Sequence, residues 1–168
     1  MMTRRTLLST LAALGFGGGA ARTMGADTKP GKSSAGSVSK LNLSDAEWKK
    51  RLTSEQYHVL RREGTEAPGT STLNREKRQG TYHCAGCELP LFSSATKYES
   101  GTGWPSFYQP LPDALGFKTD YKLILPRTEY HCARCEGHQG HVFDDGPPPT
   151  GKRYCNNGVA LKFVPAAV

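Results

Sequence analysis

The chemistry in this chain is concentrated in five cysteines, Cys84, Cys87, Cys132, Cys135 and Cys155. Four of them form two CxxC pairs. Each such turn can place two thiolates on one cation, and two turns complete a tetrahedral sulfur shell. Four thiolates leave no open position for water, so the expected site is structural, with one zinc per chain as its natural occupant. Rubredoxin-like iron also suits tetrahedral sulfur, and disulfides or redox-active CxxC pairs are the other readings. His83 and His131 stand beside the proposed ligands; a filled shell has no place for them, and they read as strand or surface residues. Cys155 remains as a separate thiol.

A single cysteine is more often a small core residue than a nucleophile. The neighbours of Cys155 argue for reactivity: in an extended segment Arg153, Cys155 and Asn157 point to one side, where a guanidinium favours a thiolate and an amide offers hydrogen bonds. His138 and His141 lie three apart in a glycine-spaced run. No further ligand is placed to complete a metal site with them. Proton delivery near neutral pH is their functional reading, and solvated loop histidines the plain one. Gly103-Trp104-Pro105-Ser106-Phe107 is a third segment of unusual composition.

These groups need a scaffold. Ser44 with Glu47 makes a capping box ahead of Trp48 and Leu52, and Ser54 is expected to cap a second short helix through Tyr57, Leu60 and Arg61, stopped by Gly64. Beyond Arg78, short runs at Gly80–His83, Leu89–Phe92, Tyr121–Leu125, His141–Phe143 and Val159–Val164 are separated by Gly, Pro and Asp. That punctuation predicts short antiparallel strands: a mainly β fold, sandwich- or barrel-like, with short N-terminal helices and the four-Cys zinc site. An internal echo, Tyr82-His83-Cys84-Ala85-Gly86-Cys87-Glu88 and Tyr130-His131-Cys132-Ala133-Arg134-Cys135-Glu136, predicts two matching knuckles clamping the halves of the domain.

The 168 residues suffice for one domain with an ordinary core; 36% hydrophobic residues with 19 Gly and 11 Pro describe a loop-rich chain. Residues 1–26 have a basic start followed by an apolar run from Leu7 to about Ala21, the pattern of a cleaved signal peptide, and Arg4-Arg5 resembles a twin-arginine signal. This predicts export to the periplasm, with no stable membrane insertion after cleavage; an uncleaved anchor is the alternative. Residues 27–40 read as a flexible linker and 41–168 as the folded domain. The formal charge of +7 owes three units to Arg4, Arg5 and Arg22. What is left is scattered among acids, so a nucleic-acid-binding zinc module is disfavoured.

GTGWPSF, CARCEGHQGHVFDDGPPPTGKRYCNN and the paired CxxC knuckles resemble the methionine-R-sulfoxide reductase family, type B, over roughly residues 41–165. The resemblance implies small β-sheets around a shallow pocket, a structural zinc on Cys84, Cys87, Cys132 and Cys135, and Cys155 as nucleophile. It implies that Trp104 cradles the substrate methyl group and that His138 and His141 hold the sulfoxide oxygen. Phe143 would shape the apolar wall, with Asp145, Arg153 and Asn157 as supporting polar groups. The substrates would be oxidised proteins or peptides carrying methionine R-sulfoxide. Many members carry a resolving cysteine before the Trp, where this chain has Thr102; an external reductant, thioredoxin-like or another dithiol, is therefore expected. A thiol–disulfide oxidoreductase using a free CxxC would need a βαβ context that the sequence lacks.

Overall fold

The computed structural model describes residues 38–167. The expected signal segment, and residues 27–37 of the expected linker, lie outside them. Val38 already packs against the core, and Leu41 N–H donates to the Arg134 carbonyl at 2.8 Å, so contact with the domain begins before Leu41.

Two short helices open the domain. In α1 (Asp45–Arg51), the Ser44 hydroxyl accepts from Glu47 N–H while the Glu47 carboxylate accepts from Ser44 N–H, the reciprocal cap expected. For α2 (Ser54–Arg62) the cap is Thr53, not Ser54. Only Thr53 has a side chain three residues on, Gln56, that can return the hydrogen bond. The expected stop at Gly64 also shifts: Glu63 adopts the left-handed conformation, at φ 53°. Trp48, Leu52, Val59 and Leu60 bury the inner faces of this pair.

The strands form two antiparallel sheets. β1 (Gly80–Cys84), β2 (Pro90–Ser93) and β9 (Leu161–Pro165) make one, in the order β2-β1-β9. The other holds β3 (Lys97–Tyr98), β4 (Ser106–Phe107), β5 (Leu115–Asp120), β6 (Arg127–Cys132), β7 (His138–Phe143) and β8 (Arg153–Asn156), in the order β3-β4-β8-β7-β6-β5. Their apolar faces meet through aromatic side chains. Phe92 stacks on Phe107 with centroids 4.3 Å apart, and Tyr82 meets Phe107 edge-on at 4.9 Å. Tyr130 and Phe92 complete a wholly buried layer.

Two expected strands change. Tyr121–Leu125 is not a strand but the connection between β5 and β6, with Tyr121, Leu123, Ile124 and Leu125 exposed. Its apolar composition suggested burial. The ladder running from Leu115↔Cys132 to Asp120↔Arg127 leaves it no partner, the Asp120 carboxylate accepts Lys122 N–H to close the turn, and Pro126 has no N–H to give. Val159–Val164 is shortened because Gly158–Ala160 forms a 3-10 turn before β9.

One irregularity positions the site. Along β6 and β7 the register steps from Tyr130↔Gly140 to His131↔His138, which leaves Gln139 as the extra residue of a β-bulge. Without it, His138 and His141 would point to opposite faces. With it, their rings lie 5.4 Å apart.

Candidate functional site

The second face of the six-stranded sheet is polar. His141 on β7 is the direct cross-strand partner of Cys155 on β8, Phe143 of Arg153, and Ser106 on β4 pairs with Cys155 from the other side. Trp104, His141, Phe143, Cys155 and Asn157 line one cleft of about 120 Å³, together with Thr65, Arg127, Gly140 and Asn156. The Trp104 indole is oriented by its N–H, which donates to the Glu66 carbonyl at 3.2 Å. The loop that carries it is held by Gly103 at φ 92°, whose carbonyl accepts from Gly69 N–H at 2.7 Å; a Cβ there would strike Pro68 at 2.8 Å. Gly140 permits a closer approach still, since a Cβ would lie 1.9 Å from the Cys155 carbonyl oxygen.

Cys155 is half-buried. Burial pushes its thiol above the ordinary value, while the Thr102 hydroxyl, 4.0 Å from Sγ, and the Arg153 charge pull the other way. Arg153 is not a free charge: it makes two 2.8 Å bonds to Asp145 and lies 4.3 Å over the Phe143 ring. Asp145 is thus brought to the site's edge through Arg153.

Each histidine is held by a carboxylate. His141 Nε2 lies 2.8 Å from Asp120 Oδ2, which also accepts from Arg127 at 2.6 Å. His138 Nδ1 lies 2.7 Å from Glu129 Oε1, whose other oxygen pairs with Lys118 at 2.9 Å. Ionised carboxylates only accept, so the bonded nitrogen of each neutral ring carries the proton and the other nitrogen is an acceptor. Burial lowers the His138 imidazole to about 4; His141 is lowered too, chiefly by burial, with Asp120 opposing. His138 stands behind the cleft, buried, its Nε2 without a partner among the described residues. Asn157 lines the cleft, yet its amide is spent on the backbone, accepting from Glu66 N–H and donating to the Gln139 carbonyl, both at 3.0 Å. Asp120, Arg127 and Glu129 were not expected from sequence. Their only signal is a polar residue recurring at alternate positions of β5 and β6.

The four remaining cysteines converge from the two knuckles. Their sulfurs all lie within 4.8 Å of one another, with Cys84–Cys135 at 3.7 Å and Cys87–Cys132 at 3.4 Å. A tetrahedral zinc–thiolate shell has an edge of about 3.8 Å. None of the four is in a disulfide and all are buried. The sequence echo is a structural one: Glu88 and Glu136 both adopt left-handed φ, and their N–H groups donate to Cys84 and Cys132 carbonyls at 2.8 and 2.9 Å. The donor set therefore fits a buried metal ion. His83 and His131 are not in the cluster. Gln139 joins the two centres, donating to Cys84 Sγ at 3.4 Å and receiving the Asn156 amide at 3.4 Å.

A cleft thiol beside carboxylate-held imidazoles, on a β-sandwich clamped by a four-cysteine centre, is an arrangement suited to thiol redox chemistry. The SelR domain matches residues 52–165, and the chain belongs to that family, the MsrB peptide methionine sulfoxide reductases. It is similar to peptide methionine sulfoxide reductase MsrB of Pseudomonas putida (strain W619), 54% identical over 129 residues that cover 76% of this chain and 97% of that protein. The chloroplastic peptide methionine sulfoxide reductase B1 of rice is 54% identical over 123 residues, 73% of this chain but only 58% of its own length. The mitochondrial methionine-R-sulfoxide reductase B2 of rat is 49% identical over 150 residues, covering 81% of this chain and 84% of that protein. The family reduces methionine sulfoxide with thiol reductants and so repairs oxidised proteins.

The names also correct one expectation. The rice and Arabidopsis relatives are chloroplastic and the rat relative is mitochondrial, which overturns export to the periplasm by a twin-arginine route. Among the described residues, no helix is long and apolar enough to cross a membrane.

Proposed function

We propose that the chain reduces peptide-bound methionine R-sulfoxide with Cys155 as nucleophile. The observation that carries this reading is the cross-strand pairing of Cys155 with His141 in one cleft under Trp104. A sulfoxide sulfur accepts a thiolate only as its oxygen gains a proton, so nucleophile and acid must converge. The cleft supplies Cys155 for the sulfur and His141 for the oxygen, with His138 behind it. Because Asp120 holds Nε2–H, His141 donates from Nδ1, and only as imidazolium, a form that the same carboxylate favours.

Attack by the Cys155 sulfur ends with the oxygen and one proton on Cys155 as a sulfenic acid and the substrate sulfur reduced to methionine. Two thiols of an external dithiol then reduce the sulfenic acid, releasing water and leaving a disulfide in the donor. An external donor is expected because the residue before the Trp that faces Cys155, 4.0 Å from its sulfur, is Thr102 rather than a cysteine, and the other four thiols are gathered in the four-cysteine cluster. The Trp104 face and Phe143 receive the methyl group, which sorts the two sulfur configurations. Arg153, Asp145 and Asn157 hold β8 and its loop in place. Zinc is the ion proposed for Cys84, Cys87, Cys132 and Cys135, where it would supply folding free energy and no chemistry.

The test is turnover of separated R and S diastereomers of dabsyl-methionine sulfoxide with dithiothreitol, with Cys155→Ser as control. Consumption of R alone, abolished in the variant, is expected. Turnover of S, or of neither isomer by folded protein, would refute the reading.

A further inference from the structure

The segment before Trp104 carries a chain of hydroxyl groups that ends on the reactive sulfur. The Ser106 hydroxyl, 1% exposed as a residue, donates to the Trp104 carbonyl at 3.1 Å. With its one proton committed there, Ser106 accepts from Ser100, 2.7 Å away. Ser100 has then also spent its proton, so it accepts from both the Thr102 N–H at 3.4 Å and the Thr102 hydroxyl at 2.8 Å. Thr102 is the last link. Its oxygen lies 4.0 Å from Cys155 Sγ, the long end of a hydroxyl–sulfur contact. Gly101 and Gly103, at φ 74° and 92°, turn the backbone on both sides of Thr102.

This order leaves one rotor free. When Cys155 is a thiol, its S–H points at the Thr102 oxygen and the Thr102 proton points at Ser100. When the thiol proton has left to solvent through the open cleft, rotation about the Cβ–Oγ1 bond of Thr102 turns its proton onto the sulfur. Ser100 meanwhile keeps the Thr102 N–H.

We propose that Thr102, braced by Ser100 and Ser106, is the hydrogen-bond donor that stabilises the Cys155 thiolate. The proposal rests on the reading of Cys155 as the reactive thiol, and it gives the Thr102 position a task of its own. The other charged or titratable groups facing the sulfur are fewer than they look. Arg153 on β8 is shared with Asp145, and Arg127 on β6 is paired with Asp120. The His141 imidazole on β7 is lowered chiefly by burial and held by Asp120, and Tyr98 on β3 and Tyr130 on β6 are phenols with raised pKa values. Burial opposes ionisation of Cys155, and the Thr102 bond is the first influence set against it.

The test is the pH profile of Cys155 alkylation by iodoacetamide in the zinc-loaded protein, followed by mass spectrometry of the Cys155 peptide, for wild type, Thr102→Val and Thr102→Ser. Loss of a hydrogen bond to a charged group costs roughly tenfold in thiolate population. The less stabilised thiolate is more nucleophilic, so the net slowing at pH 7 in Thr102→Val is about threefold, with the midpoint moved to higher pH. Thr102→Ser should follow the wild type. A Thr102→Val profile that overlays the wild type overturns the proposal, as does a Thr102→Ser profile displaced as far as that of Val. If the Val variant does not fold, as read by circular dichroism, Thr102→Ala takes its place. Alkylation needs no sulfoxide: a wild type that reduces neither diastereomer removes the reductase reading and leaves this test intact.

Discussion

Asp120 is the residue whose removal discriminates most sharply among explanations of the cleft. Its carboxylate, 8% exposed, accepts from Arg127 at 2.6 Å, from His141 at 2.8 Å and from Lys122 N–H at 2.9 Å. These bonds hold its carboxyl well below the usual carboxylate range, with the Lys122 N–H bond the largest cause. Asp120→Asn keeps an acceptor for Lys122 but presents an amide N–H₂ to two donors. A hydrogen bond to a charged group contributes about 1.5–3 kcal/mol. Two are lost, and water restores part of the Arg127 bond because that side chain is 31% exposed. The expected destabilisation is therefore about 2–3 kcal/mol at pH 7. Without the carboxylate, His141 loses the partner that favours its imidazolium, and kcat/KM for the R sulfoxide should fall by about one to two orders of magnitude. A carboxyl with a depressed folded pKa contributes stability above its unfolded value, near 3.8, and loses that contribution as pH falls through the folded value. Urea unfolding of the two proteins should therefore differ most at neutral pH and converge below about pH 3.8. Equal separation at pH 3 and pH 7, or kcat/KM within twofold of wild type with superimposable pH profiles, would refute the reasoning.

Other expectations are as direct. His138, lowered to about 4 from 6.5 by burial, binds its proton more weakly folded than unfolded, so the wild type should gain on the order of 3 kcal/mol between pH 4 and 6.5. His138→Asn should lack that rise in chemical denaturation. Gly140→Ala places a Cβ 1.9 Å from the Cys155 carbonyl; separation of β7 from β8 should abolish turnover and lower Tm, whereas an active, equally stable variant would show the approach to be slack. Cys132→Ser, or removal of the ion by a strong chelator, should unfold much of the domain, because both knuckles and the bulge residue Gln139 depend on that cluster. A melting curve unchanged by chelation would contradict a structural metal.

The sequence by itself determined a good deal of this protein. Repeated CxxC turns declare their partners because four thiols at that spacing have few other uses, and the doubled knuckle is present in the backbone as in the letters. The capping box at Ser44 is a local pattern, and local patterns are legible because their energetics are settled within a few residues. Tyr121–Leu125 failed on the same ground: its hydrophobicity is local, but whether it pairs depends on a ladder set elsewhere.

What only the tertiary structure decided is who meets whom across strands. Cys155 and His141 are fourteen positions apart in the chain and become direct partners through the β7–β8 register. His138 and His141 share a face because one extra residue, Gln139, enters β7. Asp120 and Glu129, which hold the two imidazoles, bear no motif at all; they reach their rings because each antiparallel pairing brings distant residues to about 5 Å. Residue types limit what chemistry a chain can perform, but charge, proton and nucleophile act over a few ångströms, and in an antiparallel sheet those distances are set by register, which is a property of the whole fold.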